Sequence, residues 1–136
     1  MTEELETADK LVLQKAAHGA VLLVSLAYPS TVATTKINVA GSRVLTGATG
    51  LVGRALAGKV QADLPKGSAA DVADEVLPAL RDAVALLERR DPAEADNFRR
   101  TVTVAVEQGA SSAGSNAATG EMIAKVKDAL GVVPAA

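Results

Sequence analysis

Three groups of residues in this chain are of types that could do chemistry. Between Arg43 and Gly58 the sequence reads RVLTGATGLVGRALAG, with Thr46, Gly47, Gly50 and Gly53 spaced as in turns that cradle a phosphate. Glycines let such a turn close tightly and let the anion approach the backbone amides of a helix N-terminus. His18, the only histidine, has a ring whose protonation near neutral pH suits a general base or a metal ligand. Asp71, Asp74 and Glu75 bring three carboxylates together, as a cation site would require. Thiol chemistry is excluded, because the chain has no cysteine to act as nucleophile, metal ligand or disulfide partner.

The glycine run resembles the phosphate-binding turn of extended short-chain dehydrogenases, which would imply an NAD(P)-binding oxidoreductase. The elements that must position such a turn are missing. A strand before it could only be residues 43–45, since Gly41 and Ser42 precede it, and that is too short for the centre of a doubly wound sheet. The acidic residue expected about 20 positions on would be Asp71, but LPKGSAAD leads to it with a proline and no strand pattern. That family's tyrosine and lysine, four residues apart, should follow the turn. The only tyrosine, Tyr28, precedes it and has Val32 at the lysine position. Thr46, Gly47, Gly50, Gly53 and Ala57 are therefore read as small residues where two helices cross closely, or where one helix breaks and another starts. The expectation is no strand and no dinucleotide.

The other two groups also lack supporting residues. His18 shares a helical stripe with Thr7, Gln14 and Ser25 and has no acidic neighbour on it, so it reads as a partly exposed histidine on a polar face. Asp71, Asp74 and Glu75 lie on a helix without the alternating ligands and glycine of a calcium loop, so they read as a solvated face. No serine sits in a nucleophile turn or beside a base. The sequence thus assigns no catalytic, cofactor-binding or metal-binding residue. A net charge of −2, with both signs present in the chain, argues against the clustered basic surface that nucleic acid requires.

The elements themselves are helical. The first helix is placed at 7–27, ended by Pro29, and apolar over most of its circumference. The β-branched run TVATTKINV favours a strand by propensity, but Ala33, Ile37, Ala40, Val44, Ala48, Leu51 and Ala55 follow a helical period. Helices are expected at 30–45 and 49–61 with a break at Gly47. DLPKGS, residues 63–68, is a loop that ends in the N-cap Ser68. Val72, Val76, Leu80, Ala83, Val84 and Leu87 form the buried stripe of the next helix, with a kink or short break expected at Pro78. Asp91, Pro92 and Glu94 mark a helix start in capping-box order. Ala95, Phe98, Val102, Ala105 and Val106 form its inner face, and Gly109 its end. Residues 109–119 read as a polar, flexible loop, and the last helix runs from about 118 to Leu130, with Met122, Ile123, Val126 and Leu130 inward.

Three stretches, AAHGAVLLVSLAYPS, VLPALRDAVALLERRDPAEADNFRRTVTVAVEQGA and GEMIAKVKDALG, resemble a family of bacterial all-helical proteins of similar length. More remotely, the C-terminal part is similar to the tellurite-resistance TerB type, in which acidic residues flank the last loop, as Glu107 and Glu121 do here. The resemblance implies an all-helical fold and, for the TerB type, a stress-linked, cation-binding role.

The expected fold is all-α: a single domain over 1–136, with five to seven helices packed around the first. Its core must be built from Ala, Val and Leu, because Tyr28 and Phe98 are the only aromatic residues. The longest apolar run, residues 16–27, is too short to span a bilayer, and the Glu-rich start is unlike a secretion signal. The functional expectation is a non-enzymatic cytoplasmic protein acting through a protein partner or as a homo-oligomer. The alternatives are a cation-binding helical domain and the dehydrogenase-like reading.

Overall fold

A computed structural model describes residues 5–28, 30–57, 60–114 and 116–132. Six helices make up the described chain: α1 (Thr7–Ser25), α2 (Thr31–Thr46), α3 (Gly50–Leu56), α4 (Ala69–Arg90), α5 (Pro92–Ala113) and α6 (Ala117–Leu130). No strand occurs among the described residues. TVATTKINV lies inside α2, so periodicity prevails over β propensity there.

Helix α1 touches each of the other five, as does α5, while α2 and α4 lie apart without touching. The buried apolar residues, Leu51 apart, form one contiguous cluster that draws on all six helices. Leu13, Ala16, Ala17, Ala20, Leu23 and Val24 of α1 are completely buried at its centre, together with Phe98.

Small residues set the distances between helices. At Gly41 an added methyl would lie 2.7 Å from Val21 Cγ1, so α2 can approach α1 only because no side chain intervenes. At Gly109 a methyl would lie 3.0 Å from Ile37 Cγ2 and 3.2 Å from the Ile37 carbonyl oxygen, where α5 meets α2. Gly109 therefore does not end α5, contrary to the sequence reading. It is a buried crossing point, and α5 continues to Ala113. The supposed loop at 109–119 is mostly helix, with Gly114 and Asn116 at the described edges of the link.

The local signals at helix ends are largely realised. Ser68 accepts from the Asp71 amide and Asp71 returns to the Ser68 amide, closing a capping box. Asn116 and Thr119 make a second box at α6, and Gly131 ends α6 in the left-handed conformation. Asp91 caps α5 through the Ala93 amide at 3.1 Å. Pro78 does not break α4, which runs unbroken through it. The proline and the carbonyl it leaves unbonded, that of Asp74, both belong to exposed residues, so water can replace the lost bond.

The glycine crossings predict opposite effects at two positions. Gly41→Val should lose about 1–3 kcal/mol through overpacking against Val21. Gly120→Ala, where a methyl meets nothing within 4 Å, should gain up to about 1 kcal/mol from helix propensity. Urea unfolding of both variants checks the pair.

Candidate functional site

The glycine motif occupies the join between α2 and α3. Gly47 ends α2, Thr49 is the N-cap of α3, and Gly50 enters that helix with φ of +72°, a conformation that excludes most side chains. A methyl at Gly53 would overlap the Ala48 carbonyl. The two glycines are thus required by the turn's own backbone. The expected second helix over 49–61 is shorter than the sequence suggests and ends at Leu56.

The positive end of α3 faces a carboxylate supplied by the protein itself. Glu94, on the first turn of α5, accepts the Val52 amide at 3.1 Å through Oε1. Its Oε2 would lie 2.6 Å from a methyl at Gly50. Asn97, one turn further along α5, donates to the Thr49 carbonyl at 2.9 Å and to Glu94 at 3.3 Å. A helix N-terminus favours an anion, and here the anion is Glu94. The capping box expected between Asp91 and Glu94 does not form. The Asp91 amide is already bonded to the Leu87 carbonyl at 2.6 Å as the last amide of α4, leaving Glu94 free to reach across to α3.

The stripe on α1 differs from its sequence reading. Gln14 is 7% exposed, His18 8% and Ser25 0%, so the polar face points inward. Gln14 donates to the Ala55 carbonyl at 3.1 Å and accepts the amides of Gln61 and Ala62 at 2.9 and 3.1 Å. One amide side chain thereby ties α1 to the end of α3 and to the segment after it. Ser25 folds back onto the Leu22 carbonyl at 2.6 Å. The side of α1 left half open is apolar, with Leu11, Val12, Leu22 and Leu26 beside Lys15.

His18 is therefore not a surface histidine. Its Nε2 is buried without a hydrogen-bond partner, one of two such side-chain atoms among the described residues, with Thr103 Oγ1 the other. Burial lowers its pKa below the ordinary imidazole value of 6.5, so the ring is held neutral. Among the described residues no carboxylate bonds it to orient the ring.

The acidic cluster is divided among structural tasks. Asp71 caps α4, Glu75 pairs with Lys15 at 3.2 Å, and Asp74 is exposed. Among the described residues no group of three or more His, Cys, Asp or Glu could hold a metal ion. Glu107 pairs with Lys127 at 2.8 Å, joining α5 to α6, and Glu121 is exposed.

Sequence reasoning missed the role of Arg99. Its guanidinium donates to the Leu130 carbonyl at 2.8 Å, to Asp96 at 2.7 Å and to Glu88 at 2.6 Å, so one side chain joins α4, α5 and the C-terminal end of α6. Tyr28 was also missed. Its hydroxyl reaches the Gly114 carbonyl at 2.8 Å and that of Ala110 at 3.3 Å, closing the end of α5. No helix among the described residues is long and apolar enough to cross a membrane.

Comparison with protein-family models, with curated proteins and with solved structures finds no match.

Two predictions follow from this geometry. Removing the carboxylate with Glu94→Ala leaves the Val52 amide without its partner and should cost about 1–3 kcal/mol, measured by urea unfolding. His18 sets a pH dependence. Its folded pKa is depressed, so below about pH 6.5 the unfolded chain takes up a proton that the folded one refuses, and stability falls as pH falls. His18→Leu should fold and flatten the part of the stability slope that sets in below about pH 6.5. An unchanged slope would show that His18 is solvated.

Proposed function

We propose that this chain is a non-enzymatic cytoplasmic protein that works through protein contacts made by the outer face of α2. The observation that carries this reading is the exposure of Val32 and Val39, at 64% and 46% the two most exposed large apolar residues among those described. They lie seven residues apart, on one side of the helix.

Three uncharged polar residues of α2 bond to their own helix. Thr35 donates to the Thr31 carbonyl, Asn38 to that of Thr34 and Thr46 to that of Ser42, each at 2.9 Å. Hydroxyls bonded to their own helix leave threonine methyls to face outward. The face is consequently more apolar than its composition suggests, and a shallow depression runs along it between Thr35 and Thr46. A contiguous exposed apolar patch that no described part of the chain covers is a mark of a contact surface.

A photo-crosslinking residue at position 39, compared with one at Glu121 on α6, tests this reading in living cells. Position 39 should give discrete protein adducts and position 121 none. Equal labelling at both, or none at either, would remove the assignment.

A further inference from the structure

The α2 face carries a charge pattern that identifies its occupant, and this step rests on the contact reading above. No Asp or Glu occurs between Asp9 and Asp63. Lys36 and Arg43 on α2 are exposed, and neither is among the ion pairs of the described residues. Lys36, Val39 and Arg43, spaced three and four residues apart, form a single exposed ridge: cation, apolar group, cation.

The same spacing recurs on α4 with the opposite sign. Glu75, Pro78 and Asp82 are again three and four residues apart and exposed, reading anion, apolar group, anion. Lys15 takes only one oxygen of Glu75, Oε1, and Asp82 is in none of the ion pairs. Seven residues of helix span about 10 Å, so the two cations and the two anions are separated by the same length. α4 stays helical through Pro78, which preserves that length. Because α2 and α4 do not touch, one molecule can offer both ridges at once.

We propose that copies of this chain associate head to tail, the Lys36–Val39–Arg43 ridge of one seating against the Glu75–Pro78–Asp82 ridge of the next. Parallel or antiparallel, each cation meets an anion, and Val39 lies beside Pro78. A two-fold pairing of α2 with α2 would set Lys36 against Arg43, and one of α4 with α4 would set Glu75 against Asp82. Like charges therefore disfavour dimers that pair α2 with α2 or α4 with α4, and a head-to-tail contact of α2 with α4 is of the heterologous kind that builds chains or rings. Exposed ion pairs contribute little singly, so the assembly is reversible and concentration-dependent.

Sedimentation velocity over a concentration series tests this with the whole chain. At low salt the weight-average sedimentation coefficient should rise with concentration. At about 1 M salt, where the screening length falls to about 3 Å, it should not. K36E/R43E and E75K/D82K should each stay monomeric while keeping the wild-type circular dichroism, and D82K alone should weaken association. Mixing the two double variants restores both complementary pairings and should restore assembly. A wild-type protein that stays monomeric at every concentration overturns the proposal, as do double variants that assemble like wild type or a mixture that does not recover. A monomer whose position 39 still crosslinks to another protein overturns self-association alone. A monomer without any crosslink overturns the contact reading as well.

Discussion

A core with one phenylalanine and no tryptophan gains its buried surface only if the helix backbones lie close together. Alanine and valine reach a short distance, so each crossing depends on what is absent between the two helices. Gly41 lets α2 come down on Val21, and Gly109 lets α5 come down on Ile37. Both contacts involve α2, which is otherwise the most open of the long helices, with Ile37, Gly41 and Leu45 its only fully buried positions. Close approach along this narrow strip leaves the other side of α2 uncovered. The exposure of that side is thus a consequence of how the core is built.

The second level of organisation is polar and acts at the ends of helices. Gln14 holds Ala55, Gln61 and Ala62 to α1, while Glu94 and Asn97 hold the start of α3 to α5. Helix α3 has seven residues, too few to be stable alone, and is fixed at both ends by these side chains. Arg99 does the same for the end of α6. The net worth of each bond is modest, but a buried amide or carbonyl left unpaired is costly. These residues set the positions of short or terminal helices that packing alone would leave free.

The sequence shows most of the helices and little of the polar framework. The inner stripe of α4, Val72 to Leu87, is legible because it repeats at the helical period, and Asp91 because caps act within three residues. Gln14 and His18 are misread as surface groups for a physical reason. The partners of Gln14 lie more than forty residues away in the chain and are backbone groups, which no residue type announces. Gly109 is misread as a stop because a glycine at a helix end and one at a crossing look alike until the crossing helix is placed. Glu94 has the right spacing for a local box and is diverted by a single-residue link between α4 and α5. That no strand leads into the glycine motif is legible in the sequence, but its carboxylate partner on α5 becomes visible only in three dimensions.

The central claim is that α1 is the central helix of the domain, packed against each of the other five. Native-state hydrogen exchange over a range of denaturant tests it directly, because it reports the free energy of opening residue by residue. The amides of residues 13–24 should exchange only through global unfolding, with the same free energy and denaturant dependence as the whole domain. If those amides exchange through a smaller opening while α4 and α5 stay protected, α1 is a peripheral helix and the account is wrong.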